Sequence, residues 1–71
     1  MALDEVQNGE KVVITRIDGG RHARKKLMDL GLIPGVPVTI IRRAGRNPML
    51  LSVMGRQIMI GQGMAKKVYV K

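Results

Sequence analysis

Residues 26–36 are KLMDLGLIPGV, and this stretch decides how the chain folds. Three apolar residues recur at helical spacing and predict a short helix over residues 22–30 with one apolar stripe: Ala23, Leu27 and Leu30. Gly31 suits the left-handed position that ends a helix, and Pro34 cannot continue one. Residues 33–36 fit a type II turn, with proline and glycine at its two central positions. The stretch therefore predicts a helix, a tight turn and the start of a strand.

Short apolar runs between glycines and prolines predict five strands around this helix. The first is KVVITRI at residues 11–17, where either a bulge or a change of face near Thr15 explains the impure alternation. The others are expected within residues 36–41, 49–53, 58–60 and 68–70. Met54-Gly55 is expected to form a bulged hairpin turn, with Gly55 at positive φ. Gly61 and Gly63 argue against a well-formed helix between the last two strands.

This pattern predicts a single, mainly β domain over residues 1–71, with one short helix and a small, strongly curved barrel of about five strands. Leu27 and Leu30 are expected to be the only anchors of the helix on the barrel. Because the stability of so small a domain is about 5 kcal/mol, Leu30→Ala is expected to leave it largely unfolded.

The composition argues against an enzyme. The chain has no cysteine and one histidine, His22, and its hydroxyl side chains are scattered at Thr15, Ser52 and Tyr69. A nucleophile with its base and orienting group cannot be assembled from these. No apolar run approaches the roughly 20 residues of a membrane span, and the start MALDEVQNGEK is unlike a signal peptide. We therefore expect a cytoplasmic protein.

The net charge is the first sign of a binding function. Thirteen Lys and Arg against five Asp and Glu give +8, which favours nucleic acid, anionic lipid or an acidic protein face as a partner. Tyr69 is the only aromatic residue, whereas single-strand binders interleave stacking aromatics with their basic residues. The lack of aromatic residues thus argues against nucleic acid as the partner, and the net charge keeps a nucleic-acid-binding module as the alternative function.

Residues 26–35 resemble the signature of the ferrous iron transport protein A (FeoA) family, a basic residue followed by L-x-x-L-G-[LM]-x-P-G. The matching positions are Leu27, Leu30, Gly31, Leu32, Pro34 and Gly35. The resemblance runs along nearly the whole chain, through Leu3, Gly9, Glu10, Gly19-Gly20, Asn47-Pro48, Gly55 to Ile58, Ala65, Val68 and Val70.

The resemblance implies an SH3-like β-barrel and an accessory role in ferrous iron uptake. The implied partner is the cytoplasmic domain of the FeoB-type permease, with membrane contact only through that permease; a weak homo-oligomer is compatible with it. The family carries a label of transition-metal binding. We expect no cofactor and no metal site here, because His22 and five acidic residues supply too few suitable ligands.

Five residues are predicted to bind the partner. Arg42, Arg43 and Arg46 cluster after a strand and would contribute charge. Met59 lies between the inward-facing Ile58 and Ile60, so it should point outward, and together with Tyr69 it would contribute an apolar grip.

Overall fold

The computed structural model describes residues 1–43 and 45–71. A 3₁₀ turn at Leu3–Glu5 precedes strand β1 (Lys11–Ile17), helix α1 (Gly20–Asp29), β2 (Pro37–Arg42), β3 (Met49–Val53), β4 (Arg56–Ile60), the one-turn helix α2 (Gln62–Ala65) and β5 (Val68–Val70). The strands form one antiparallel sheet in the order β4-β3-β2-β1-β5. The predicted mainly β fold is confirmed. Within the described residues the sheet does not close, so the barrel is a loose one with β4 and β5 as its edges.

A bulge in β1 explains its impure alternation. The register with β5 passes from Ile14 opposite Val70 to Arg16 opposite Tyr69, so Thr15 is the extra residue. A bulge bends the strand and re-aims the side chains beyond it. Ile17 is thereby buried like Ile14, although the two are an odd number of residues apart.

Helix α1 begins at Gly20, two residues before the predicted start, and ends close to the predicted end. Gly31 has φ +94° and its N–H donates to the Met28 carbonyl at 2.9 Å, as expected of the residue that ends a helix. The next turn closes with the Val36 N–H donating to the Ile33 carbonyl at 3.0 Å, and Gly35 has φ +95°. No helix in the described residues is long and apolar enough to cross a membrane.

A helix of a single turn, α2, forms where the glycines argued against a well-formed helix. Gly61 lies just outside α2 in an extended conformation, and its carbonyl accepts the Ala65 N–H at 3.0 Å. Only Gly63 carries the cost of a glycine within the helix. Ala65 is completely buried, and this packing fixes a turn that the local sequence disfavours.

The hairpin between β3 and β4 differs from the bulged turn that we expected. Val53 pairs directly with Arg56, so the loop has only two residues, Met54 and Gly55. Both have positive φ, +50° and +81°, as a type I′ turn requires. The right-handed twist of the strands favours this turn, even though methionine is poorly suited to its first position.

Met54→Asn is therefore expected to stabilise the domain. Asparagine adopts the left-handed conformation more readily than methionine, and Met54 is 75% exposed, so little packing is lost. We expect a gain of about 0.5–1 kcal/mol, measured as a higher denaturant midpoint. Gly55→Ala is the matched variant and should lower the midpoint, because it places a side chain on a residue with φ +81°. An unchanged or lower midpoint for Met54→Asn would show that the turn is not of this type.

The core is apolar, with no buried polar side chain among the described residues. Leu27 is fully buried, and Ala23 packs beside it on the same stripe of α1. Leu30 is only partly buried against the cluster. The two leucines are thus unequal anchors, because Leu27 lies within α1 and Leu30 is the cap residue beyond its last turn.

Candidate docking surface

A row of three outward-facing residues crosses the sheet. Leu50 on β3 pairs with Arg42 on β2 and with Met59 on β4. Their neighbours Met49, Leu51 and Ile60 point into the core, so alternation sends Leu50 and Met59 to the outer face, whereas Arg42 is exposed because the register of β2 shifts after the buried Ile40. Met59 is 62% exposed, which is unusual for so large an apolar side chain on a strand.

This row forms the floor of a groove of about 370 Å³, which we call the outer groove; it is lined by Arg42, Asn47, Pro48, Leu50 and Met59. The guanidinium of Arg42 lies at one side and the thioether of Met59 at the other. A register shift between Ile40 and Arg42 places the arginine at the end of β2. The outer groove thus combines one cation with an apolar floor.

The rim of the outer groove is held by side chains from distant parts of the chain. Gln62 in α2 donates from its Nε2 to the carbonyl of Asn47 at 3.1 Å and also to that of Gly45. Asn8 donates from its Nδ2 to the Arg43 carbonyl at 3.4 Å. α2 therefore has a role beyond joining two strands, since it fixes the loop between β2 and β3.

The structure brings together only two of the five predicted partner-binding residues. Arg42 and Met59 share the outer groove. Arg43 points into a separate depression with Gln7 and Asn8, and Arg46 is exposed in the loop.

Tyr69 lies apart from this surface. It is half-buried on β5, at the opposite edge of the sheet from Met59. The Arg16 guanidinium stacks over its ring, 4.4 Å from the centroid, and Ala2 pairs with it along the strand. These neighbours engage the ring within the domain, and Tyr69 lines neither of the two depressions that Met59 lines.

The signature residues hold the architecture together. Leu27 and Leu32 are fully buried, and Gly31 and Gly35 occupy left-handed backbone positions. Leu32 is therefore unable to contact a partner unless the domain opens. In this chain the signature specifies how the helix ends and the next strand begins.

Four further residues line or support the outer groove and were not predicted as site residues: Asn47, Pro48, Leu50 and Gln62.

The distribution of charge along the sequence points to the segment that contains these residues. All five acidic residues lie within residues 1–29, and residues 30–71 contain none. That second segment has seven cationic residues: Arg42, Arg43, Arg46, Arg56, Lys66, Lys67 and Lys71. The segment from β2 to β4 therefore carries four arginines and no acidic residue: Arg42, Arg43, Arg46 and Arg56.

The residues present do not fit a resident metal ion. No group of three or more His, Cys, Asp or Glu side chains comes together within the described residues. His22 is exposed on α1 beside Lys25, Lys26 and Asp29. The Asp29 carboxylate is paired with the Lys25 ammonium at 3.2 Å, and the two lysine charges oppose cation binding. The carboxylate of Asp18 accepts two hydrogen bonds from Arg16, at 3.1 and 3.3 Å.

The antiparallel sheet and short helices define a small SH3-like domain. A zinc-complexed FeoA of Stenotrophomonas maltophilia, described as an SH3 domain protein, superposes with a TM-score of 0.86, 21% identity and coverage of 100% of this chain and 89% of that one. The chain belongs to the FeoA family: the model described as the FeoA domain matches residues 1–71. Proteins of this family are accessory proteins of ferrous iron transport.

Individual relatives support the same family assignment. A Methanocaldococcus jannaschii relative, named as an Fe(2+) transport protein A, is 34% identical over 65 residues, covering 92% of this chain and 78% of its own length. A crystal structure described as the iron uptake regulatory protein FeoA superposes with a TM-score of 0.96 and 35% identity, covering 100% of this chain and 95% of that one. A Porphyromonas gingivalis Fe(2+) transport protein A/FeoB fusion protein is 28% identical over 72 residues, spanning 100% of this chain and 8% of the fusion.

Proposed function

We propose that this protein is a non-enzymatic cytoplasmic accessory of ferrous iron uptake that binds the cytoplasmic part of a FeoB-type permease through the outer groove. The observation that carries the choice of partner is the fusion of a related domain to a FeoB transporter in one chain. Fusion keeps two domains at high effective concentration, which is useful when they work in contact.

The outer groove has the composition that such an interface needs. Leu50 and Met59 present apolar surface, and methionine adapts its shape to an irregular partner. Arg42 at the side can pair with a carboxylate of the partner. The purely basic character of residues 30–71 favours an acidic face opposite, because complementary charge speeds encounter and excludes wrong partners.

The positions of the reactive side chains support a non-enzymatic role. The Thr15 hydroxyl donates to the Tyr69 carbonyl at 3.1 Å, so it is engaged in holding β1 to β5. His22 is exposed on α1. No hydrogen bond of a described residue joins a hydroxyl to His22 or to a carboxylate, as an activated nucleophile would need.

Substitutions at the two sides of the outer groove test this proposal. Arg42→Glu should weaken binding to the permease's cytoplasmic domain mainly at low salt, because salt screens an exposed charge. Met59→Asp should weaken binding at every salt concentration by about tenfold or more, since it places a carboxylate on apolar contact area. Binding would be measured by titration calorimetry at low and high salt, and ferrous iron uptake in cells that lack the native protein.

Arg43→Glu is the matched control. It makes the same change of charge one residue away, but Arg43 lies in a different depression, beside Gln7 and Asn8. The Arg43→Glu protein should therefore still bind the permease domain through the outer groove and support iron uptake. Unchanged binding by both Arg42→Glu and Met59→Asp would exclude the outer groove. Tight binding to duplex DNA with a steep loss on adding salt would instead favour a nucleic-acid-binding module.

A further inference from the structure

We propose that an extended segment of the transport partner, acidic at both ends and apolar in the middle, adds to the sheet as a strand along β4 and lies in the slot between β4 and α1. The inference rests on the proposed function for the identity of the occupant. The slot is a second surface, next to the outer groove, and Met59 is the ridge between the two.

The edge of β4 offers unpaired backbone groups. In a two-residue hairpin the residues that flank the loop exchange both backbone hydrogen bonds, so Val53 and Arg56 form such a pair. Hydrogen-bonded pairs alternate with non-hydrogen-bonded pairs along an antiparallel ladder, and Gln57 and Met59 belong to the non-hydrogen-bonded pairs. The N–H and C=O groups of Gln57 and Met59 therefore point away from β3. No hydrogen bond outside the sheet ladder involves the backbone of either residue within the described chain.

The other edge of the sheet is protected. Ala2 pairs with Tyr69, and the Val70 N–H donates to the Met1 carbonyl at 2.8 Å. Proteins commonly cover an exposed edge in this way, because an open one recruits further strands. Among the described residues only β5 has such a cover, so β4 is the edge available for a partner strand.

Helix α1 forms the far wall of the slot. The Arg56 guanidinium donates from its Nη2 to the Leu30 carbonyl at 3.1 Å and ties the end of α1 to the start of β4. The slot has a volume of about 170 Å³ and is lined by Lys26, Leu27 and Leu30 on α1, opposite Met59, Ile60 and Met64. This space suits an extended chain with an aliphatic side chain and is too small for a helix, whose diameter is about 10 Å. Addition of a strand to a sheet edge is an established mode of peptide recognition.

Charge defines the ends of the segment. Arg56 contacts the Leu30 carbonyl, and Lys26 lines the slot one helical turn before Leu30, so the two cations lie towards different ends of the slot. Neither belongs to the two ion pairs that the described residues form. Arg56 to Ile60 spans about 13 Å at the rise of a strand. Two carboxylates four residues apart would meet these cations, with an apolar residue midway facing Leu30 and Met64.

The direct test uses a fluorescein-labelled peptide, Ser-Glu-Thr-Leu-Thr-Glu-Ser, and fluorescence anisotropy. We expect saturable binding. A strand presents alternate amides to its neighbour. N-methylation of the peptide amides that face β4, which are every second amide, should therefore weaken binding by about tenfold or more. N-methylation of the remaining amides, which face away from β4, should leave binding nearly unchanged. Equal effects of both sets, or no binding, would overturn strand addition without any change to the protein.

Two charge variants locate the peptide. Lys26→Glu should weaken its binding several-fold, whereas Lys25→Glu, the same change on an adjacent residue outside the slot, should not. Hydrogen exchange should slow at the Gln57 and Met59 amides when the peptide binds. No protection at these amides would contradict the proposed site.

The permease domain is measured in parallel with Lys26→Glu and Arg42→Glu. Peptide binding without permease binding would refute the proposed function and leave the slot as a peptide site. Permease binding that is insensitive to Lys26→Glu and to competing peptide would refute the slot and leave the proposed function intact.

Discussion

Leu27→Ala should leave most of the protein unfolded at 37 °C. The Leu27 side chain is completely buried and is the main attachment of α1 to the core. Truncating such a leucine costs about 2–5 kcal/mol, because transfer free energy is lost and a cavity remains. A domain of this size has only about 4–10 kcal/mol in total. The loss would be measured by thermal and urea unfolding followed by circular dichroism.

Leu30→Ala makes the same chemical change on the same helix and is the matched control. Leu30 is only partly buried, so we now expect it to cost about half as much and to leave the fold intact. A Leu27→Ala protein that melts like the wild type would show that α1 does not depend on this contact. Equal losses for both variants would show that burial does not distinguish the two positions.

The different roles of these leucines mark the limit of what helical periodicity predicts. Spacing placed both on one stripe of α1, which is correct. It could not show that the stripe leaves the core at Leu30, because that depends on where the Gly31 turn directs the chain. Turn chemistry was a reliable guide where glycine and proline occur together, as at Pro34-Gly35. It misled at Met54-Gly55, where the twist of the sheet imposes a conformation that methionine does not favour.

The candidate site was predictable only where it depends on alternation within one strand. Alternation correctly sent Met59 outward between Ile58 and Ile60. It could not show that β4 and β5 lie at opposite edges of the sheet, so it gave no basis for relating Tyr69 to Met59. The rim of the outer groove depends on Gln62 and Asn47, fifteen residues apart, and no local pattern relates two such residues.

The first six residues carried no strand or helix signal, yet they supply two core side chains. Leu3 and Val6 are both fully buried, and the 3₁₀ turn at Leu3–Glu5 aims Leu3 inward. Burial of each is worth about 1.5–3 kcal/mol. Deleting residues 1–6 should therefore remove about 3–6 kcal/mol, comparable with the whole stability of the domain. The deletion would be followed by thermal unfolding, with Asp4→Asn as a control that changes a less buried side chain in the same turn.

Deletion and core truncation should fail in different ways. Residues 1–6 also cover the edge of β5 through the contacts of Met1 and Ala2. The deletion leaves both edges of the sheet open, so the shortened protein should aggregate, and more strongly at higher protein concentration. Light scattering would measure this aggregation. The double variant Leu3→Ala/Val6→Ala loses similar core volume but keeps the backbone that covers β5. It should unfold with much less aggregation at equal protein concentration. Equal aggregation of the two would show that the N-terminal segment matters only for the core, and a stable, monomeric deletion protein would show that it matters for neither.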